Sequence, residues 1–473
     1  MRMSSRILSR RWPWFGAAAL VVVAYLATFV ELRLGSRDPR PAGSAEDIEK
    51  LSERPDLNVL FILIDTLRAD RMGSYGYERD TSPSLDRLAS SGVRFARQLA
   101  QSSWTKCSMA SLWTGLYPAR SGVTRFDDVI PPEAKLPAEI LREAGYRTTA
   151  LYRNGWVAPY FGFDQGFEVY DRPVSRPPPP SVRRENPTVL GGGTDVDALD
   201  AAIEFLRIHG RERWFLYLHL MDVHEYVYDE DTALFGTSYS DIYDNSIRRV
   251  SLILDQLLLH LAEQGYLENT LIALSSDHGE AFRERGLEGH ARYVYRETTE
   301  VPFILSFPFR LEPGVVVDVR TANVDIWPTL LDLLGLPPLE EADGRSRVPE
   351  ILAAARGEPL RDDGAPAFAQ LDRTWGQRLR EPLPTVAVTE GSFRYVMIAL
   401  PEGEEQEELF DADSDAPELH DLLDERPEVA ERLRALARSH LESPPAPWGA
   451  EVPTLEMDEL QLNQLRALGY ALP

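Results

Sequence analysis

Apolar residues are distributed along this chain in two recurring ways. Asn58-Val59-Leu60-Phe61-Ile62-Leu63-Ile64 is a continuous apolar run about one strand long, and Trp214–Leu220, Thr270–Ser275 and Val301–Phe307 repeat it. Runs of this kind are expected of strands buried on both faces. Between them, Ser84–Ser91, Leu136–Ala144, Asp197–His209 and Ile242–Gln264 place apolar residues three or four apart, the stripe of an amphipathic helix. Strands alternating with helices predict an α/β fold, a mostly parallel sheet sandwiched by helices. Ala387–Leu400 followed by Glu408-Leu409-Phe410 predicts a small antiparallel sheet in a C-terminal α+β subdomain, and Pro427–Leu441 a closing helix.

The breaks in this pattern divide the chain. Residues 1–35 read as a cytoplasmic N-terminus and membrane anchor, 36–56 as a polar linker, 57–336 as a catalytic domain, 337–445 as the C-terminal subdomain and 446–473 as a tail. Residues 173–193 interrupt the catalytic domain with Pro177–Pro180 and Gly191-Gly192-Gly193. So long a loop inside a compact domain is expected to be a substrate-side lid or disordered. No internal repeat is present.

The run Trp14–Val30 is 17 residues long and lies at the lower limit for a spanning helix. Arg2, Arg6, Arg10 and Arg11 precede it, which by the positive-inside rule holds the N-terminus in the cytoplasm and the rest outside. A cleaved signal peptide shares this first half, but Glu31 and Arg33 follow the run where a small-residue cleavage site would stand. The expectation is therefore a single-pass membrane protein with its catalytic domain periplasmic or extracellular.

Composition narrows the partners. Of 473 residues, 50 are Lys or Arg and 75 Asp or Glu, a net charge of −25. Residues 1–34 carry +4, which leaves −29 on the remainder. So acidic a body excludes nucleic acid as a partner, because phosphate backbones select basic faces. At 44% hydrophobic and 26% charged the chain has the balance of a folded protein. Cys107 is its one cysteine, so neither an internal disulfide nor a cysteine-built zinc site can form.

Candidate chemistry gathers where the predicted strands end. The first runs into Asp65, the second into Asp222 and His224, and the third into Asp277-His278, with His290 shortly after. In open α/β sheets ligands bind at these carboxyl ends. One Asp after a strand is common turn chemistry. Three such ends, two with histidines, point to a metal or anion site. The stretch Ser102-Ser103-Trp104-Thr105-Lys106-Cys107 leads into a short helix stopped by Gly115, so Thr105 stands at a helix N-terminus. It could serve there as a cap or face an anion.

These residues resemble the sulfatase family of the alkaline phosphatase superfamily. Asn58–Asp70, Thr114-Gly115-Leu116-Tyr117-Pro118, Ser276-Asp277-His278-Gly279-Glu280, Gly289-His290 and Val324–Leu331 match its landmarks in order and spacing over roughly residues 57–440. The resemblance implies an alkaline-phosphatase-like fold and a metal-dependent ester hydrolase. Sulfatases carry a Cys or Ser, converted to formylglycine within Cys-x-Pro-x-Arg, nine residues before the landmark threonine. Nine before Thr114 is Thr105, and Cys107 is out of register with Met109 and Ser111 where Pro and Arg would follow. No formylglycine is expected. Arg153-Asn154-Gly155-Trp156 replaces the family's lysine-bearing stretch, and Asp65-Thr66 its paired aspartates. A threonine in this place is similar to the phosphodiesterase branch of the superfamily.

The expected metal ligands are Asp65, Thr105, Asp277 and His278, a mixed imidazole and carboxylate set that suits zinc or manganese better than calcium. Thr105 is the expected nucleophile, His224 and His290 hold the anion or protonate the leaving group, and Lys106 either neutralises charge beside Thr105 or lies in solvent. Asp222, His224 and His290 form the alternative of a second metal site. Arg68 and Asp70 are expected to fix the loop after Asp65, and Asp325 to cap the helix after it. The expected substrate is an anionic ester, an envelope lipid or glycan among the candidates. Three readings stay open: hydrolysis of phosphate or sulfate esters, transfer of a phospho-alcohol headgroup to an envelope glycan or lipid, and a degenerate, non-catalytic family member.

Overall fold

The structure, a computed structural model, describes residues 38–174, 193–377, 380–415, 417–443, 448 and 452–466. The run 14–30 and residues 175–192 of the Pro/Gly-rich loop lie outside these. Among the described residues no helix is long and apolar enough to cross a membrane.

The apolar runs are the centre of the main sheet. Its strands are β1 (Asn58–Ile64), β2 (Val93–Leu99), β3 (Arg147–Leu151), β4 (Val169–Asp171), β5 (Trp214–Leu220), β6 (Thr270–Ser275), β7 (Glu300–Ser306) and β8 (Val315–Ala322). They lie in the order β8-β2-β7-β6-β1-β5-β3-β4. β7 runs antiparallel to both neighbours and every other pairing is parallel. In β1, Val59, Phe61 and Leu63 face one core and Leu60, Ile62 and Ile64 the other. Burial of both faces is why the strand shows no polar alternation.

Helices α1 (Pro83–Ser90), α4 (Asp195–His209) and α5 (Tyr239–Glu263) cover the second face. Helices α2 (Thr105–Thr114), α3 (Pro137–Glu143) and α6 (Ile326–Leu333) cover the first. Four further strands, β9 (Ala367–Asp372), β10 (Pro384–Glu390), β11 (Phe393–Ala399) and β12 (Glu405–Asp411), form the antiparallel C-terminal sheet, with α7 (Pro427–Leu441) upon it. One side of that sheet packs on α7 through Val386, Val388, Tyr395 and Leu409. Its other side, through Leu371, Val396 and Phe410, belongs to the main core, so the two sheets share one interior.

Three expectations need correction here. Of the expected linker 36–56, the described part, 38–56, is not a loose tether. Arg40 reaches Ser306 Oγ at 2.5 Å and the Phe307 carbonyl at 2.8 Å, and Ala45–Glu49 is a helix. Ile48 and Leu51, three apart in an otherwise polar stretch, are fully buried. Part of the tail is also pinned: Asp128 pairs with Thr454, and the Val129 and Leu455 amides donate to the Pro453 and Asp127 carbonyls. Asp325 does not cap α6. Its carboxylate accepts from the Ala322 and Arg345 amides and from Arg347, because the turn before the helix is tighter than an ordinary cap.

Candidate active site

β6, β1 and β5 are adjacent at the centre of the sheet, so the residues following them converge. The Asp65 amide closes the β1–β5 ladder on the Leu220 carbonyl at 3.0 Å. Thr66 then turns into the left-handed region at φ 61°, costly for a β-branched residue. Three bonds hold it there. Its amide donates to Asp277 Oδ1 at 3.2 Å, its hydroxyl to the Asp65 carbonyl at 2.7 Å, and the Tyr243 hydroxyl donates to its carbonyl at 2.7 Å. After β6, Gly279 passes so close to the facing loop that a Cβ would lie 2.2 Å from the Glu297 carbonyl oxygen. Only glycine lets the chain turn there directly behind His278.

α2 delivers Thr105 to these carboxylates. All ten of its residues are buried, and Trp113 stacks on Trp327 at 5.1 Å and meets Tyr217 edge-on at 5.0 Å. At the other end, Ser108 Oγ donates to the Asp277 carbonyl at 2.6 Å, which fixes the helix start against the β6 loop. Trp104, extended, precedes the helix, so Thr105 is its first residue and its side chain is free of capping. Thr105 Oγ1 lies 3.2 Å from His278 Nε2 and 3.2 Å from Asn154 Nδ2.

His278 Nδ1 is 3.0 Å from the Gly279 carbonyl, an acceptor only, so Nδ1 carries the proton and Nε2 turns its lone pair inward. Asp65, Asp277 and His278 each bring one ligand atom within 4.8 Å of the others. Asp65 Oδ1 and Asp277 Oδ2 are buried without a hydrogen-bond partner. Two carboxylate oxygens without hydrogen-bond partners and an imidazole lone pair, with a hydroxyl beside them, fit a divalent cation. Burial and the Asp65 charge raise the Asp277 carboxyl. Burial would raise Asp65 as well, but the imidazoles of His224, His219 and His278 outweigh it and hold that group well below the usual carboxylate range.

Around this centre stand three more histidines. His219 Nε2 donates to Asp65 Oδ2 at 3.0 Å, while its Nδ1 accepts from the Tyr217 hydroxyl at 2.8 Å. Asn154 Nδ2 reaches the same Asp65 oxygen at 2.6 Å, and Asn154 Oδ1 is fixed by the Trp156 amide. His224 is half-buried, but both its ring nitrogens are inaccessible and unpartnered, and their desolvation pushes it down to about 4, so it is neutral. Its ring centroid is 5.0 Å from that of His290, which is 4.6 Å from that of His278. His290 Nδ1 faces both Glu280 oxygens at 3.2 Å. Burial lowers its basicity but the Glu280 carboxylate outweighs that, so His290 is raised and favours the imidazolium.

Asp65, Thr105, Asp277, His278, His224 and His290 are thus brought together; Asp222 and Lys106 are not. Asp222 Oδ1 accepts from Arg153 at 2.7 Å and from the Asp195 amide at 3.0 Å, and Oδ2 from Arg249 at 3.2 Å. Its oxygens are spent on arginines, which removes the second metal site. Lys106 is neither solvated nor aimed at the reacting centre. A helix turns successive side chains about 100° apart, and its ammonium points the other way, 2.7 Å from the Phe126 carbonyl and 3.6 Å from the Phe161 ring centroid. Burial, only partly opposed by Asp128 and Asp127, lowers it to about 7. Cys107 Sγ faces the Gln370 carbonyl at 3.8 Å, and burial pushes its thiol up to about 12. Arg68 spans Asp70, Glu284 and the Glu280 carbonyl, holding the loop as expected.

His219 and Asn154 are missing from the sequence-based set. His219 sits inside an apolar run read as core, and its only signal is a histidine on the same strand face as Phe215 and Tyr217. Asn154 stands in a stretch noted for the lysine it lacks.

The sulfatase family profile matches residues 57–336, and that of the C-terminal region of N-sulphoglucosamine sulphohydrolase matches 288–442. The chain is 25% identical to steryl-sulfatase of Mus musculus over 457 residues, covering 73% of this chain and 70% of that protein. It is 25% identical to choline-sulfatase of Rhizobium meliloti over 443 residues, covering 78% and 82%. The phosphonate monoester hydrolase of Agrobacterium radiobacter superposes with a TM-score of 0.65 at 20% identity, over 81% of this chain and 96% of that one. The profile spans more than half of the chain, and with the convergent strand ends it makes this protein a member of the sulfatase family, an ester hydrolase.

Proposed function

We propose that the chain hydrolyses phosphate or sulfate esters through Thr105 as nucleophile, with phosphate favoured, and that Asp65, Asp277, His278 and Thr105 hold a divalent cation, zinc or manganese. The observation that carries this reading is Thr105 Oγ1 at the start of a buried helix, 3.2 Å from His278 Nε2, beside two carboxylate oxygens without partners. A cation bound there supplies charge stabilisation at the reacting oxygens.

The chain's own residues do the rest. Thr105 gives up its hydroxyl proton to solvent, and Asn154 Nδ2 stabilises the resulting oxyanion by the hydrogen bond it already makes. Oγ1 attacks phosphorus, the Oγ–P bond forms and the P–O bond to the alcohol breaks. His290, kept charged by Glu280, donates its proton to the departing oxygen. Neutral His224 offers an N–H to a non-bridging oxygen. In the second step His290 takes a proton from water, the hydroxyl attacks phosphorus, the P–Oγ bond breaks and Thr105 recovers its proton as phosphate leaves. Formylglycine releases sulfate without a second attack at sulfur. Threonine has no such exit, which is why this nucleophile favours phosphorus.

We also place the catalytic body outside the cytoplasm on an uncleaved N-terminal anchor, from the arginines before the 14–30 run and the acidic chain after it. Purified protein supplied with zinc or manganese is expected to hydrolyse an aryl phosphate monoester or diester, and an aryl sulfate more slowly, with activity lost on chelation. Silence on all three esters with both metals present contradicts the reading.

A further inference from the structure

We infer that His219 is a positioning residue that makes Asp65 a one-oxygen ligand and thereby sets the site for zinc against calcium. The inference rests on the reading of Asp65, Asp277, His278 and Thr105 as cation ligands and concerns that same site.

The carboxylate oxygens divide into two kinds. Asp65 Oδ2 accepts two hydrogen bonds, from His219 Nε2 at 3.0 Å and from Asn154 Nδ2 at 2.6 Å. Asp277 Oδ1 accepts from the Thr66 amide at 3.2 Å. The opposite oxygens, Asp65 Oδ1 and Asp277 Oδ2, are buried without a hydrogen-bond partner. Each carboxylate therefore commits one oxygen to the protein and leaves one for a cation. With His278 Nε2 and Thr105 Oγ1 the site offers one donor atom from each of its residues. Such a set, with an imidazole nitrogen among its members, matches zinc, which takes about four ligands. Calcium takes about six to eight oxygens and often both oxygens of a carboxylate, which this arrangement denies it.

The sheet places His219 for this task. β5 lies beside β1 with His219 opposite Leu63, two residues before Asp65. Residues two apart on a strand share a face, so Tyr217 stands next to the ring, and its hydroxyl donates to His219 Nδ1 at 2.8 Å. With Nδ1 an acceptor, Nε2 carries the proton and donates to Asp65. Tyr217 is itself fixed, stacked on Phe61 at 5.7 Å and edge-on to Trp113 at 5.0 Å. His219 is fully buried in a strand otherwise built of Trp, Phe, Leu and Tyr. A leucine would fill that core without desolvating two ring nitrogens; what the imidazole adds is an oriented carboxylate. Asn154 also reaches Thr105 Oγ1, whereas His219 hydrogen-bonds Asp65 alone among the four ligands. His219 is thus the residue whose replacement changes the ligand without touching the nucleophile.

The test is metal binding rather than turnover. Chelator-stripped protein is titrated calorimetrically with zinc alone and with calcium alone, and the binding lost in Asp277→Asn is assigned to this site. The wild-type protein is expected to bind zinc far more tightly than calcium. His219→Leu is expected to weaken zinc by roughly 10- to 100-fold, as loss of a ligand's outer partner does, and to leave calcium unchanged or tighter, so the zinc-to-calcium preference falls at least about tenfold. His219→Gln, which keeps an N–H donor, is expected to recover most of the preference. Tyr217→Phe, which keeps the imidazole but frees its Nδ1, is expected to shift it in the same direction by less, and it decides the matter if His219→Leu does not fold. An unchanged preference in the folded variants, or a wild-type protein that binds calcium more tightly than zinc, overturns the inference. A wild-type protein that takes up neither ion removes the cation reading, and this inference with it, a result distinct from an unchanged preference.

Discussion

Thr105 and Cys107 are two residues apart on one helix, and their different surroundings decide the chemistry. Thr105 Oγ1 shares hydrogen-bond distance with His278 and Asn154, whereas Cys107 faces a backbone carbonyl with its thiol pushed up to about 12. A thiol so buried in apolar surroundings is inert. Thr105→Ala is expected to lower kcat by several orders of magnitude. Thr105→Ser, which keeps the hydroxyl, is expected to retain measurable turnover, and Cys107→Ala nearly all of it. Steady-state kinetics on an aryl phosphate checks all three, and Cys107→Ala inactivation would contradict the assignment. Asp65, Asp277 and His278 were legible because one Asp after a strand is common turn chemistry, whereas three apolar runs of one sheet all ending in Asp, two of them with a histidine close by, are not explained by turns. His219 was not, since one histidine in a strand looks like a satisfied core residue until its partner is known to be Asp65. Lys106 misled because adjacency in sequence to Thr105 puts a helical side chain on another face.

At the scale of elements, the helix carrying Thr105 is positioned by its far end. Trp113 packs between Phe61, Tyr217 and Trp327, all buried. Trp113→Ala is expected to destabilise the protein by about 3–5 kcal/mol, as truncation of a buried tryptophan does, and to lower kcat at temperatures where the variant is still folded. Denaturant midpoints and kcat measured together check this; a folded, destabilised variant with wild-type kcat would show that the helix start is held by Ser108 alone. The strands that reveal themselves in sequence are the central ones. β2 and β8 escape notice because they lie toward one edge and interleave Arg94, Arg97, Asp318 and Arg320 with apolar positions. β3 begins with Arg-Thr-Thr. The same logic explains the supposed linker: two apolar residues, Ile48 and Leu51, suffice to fold a polar segment onto a body that offers them a place.

Across the whole molecule, two sheets share one interior, and His440 on α7 lies at their junction. It stacks on Phe368 at 4.5 Å, with Nε2 2.9 Å from Gln370 Oε1, and burial pushes it down to about 4. An unfolded histidine titrates near 6.5, so the unfolded chain takes up this proton first as pH falls. The stability conferred by the neutral ring is full above about pH 6.5 and lost progressively toward pH 4, an order-of-magnitude loss of about 3 kcal/mol. His440→Gln is expected to show a smaller drop in unfolding free energy between pH 7 and pH 4 than the wild-type protein. Equal drops in the two proteins would mean that His440 is not the group. The carboxylates of Asp65 and Asp277 give a second global readout, because a cation that binds only the folded state raises stability by about 2.7 kcal/mol at a hundredfold excess over its Kd. Zinc or manganese is expected to raise Tm in the wild-type protein and not in Asp277→Asn. An equal rise in both would place the cation elsewhere.

The central claim is that Thr105 takes the transferred group, and peptide mass spectrometry tests it most directly. Protein mixed with an aryl phosphate and quenched in acid is expected to carry a gain of about 80 Da, one phosphoryl group, localised to Thr105, with Cys107 an unmodified thiol. A loss of about 18 Da at Cys107, the signature of formylglycine, in an active preparation whose Thr105 never gains mass, would contradict the account.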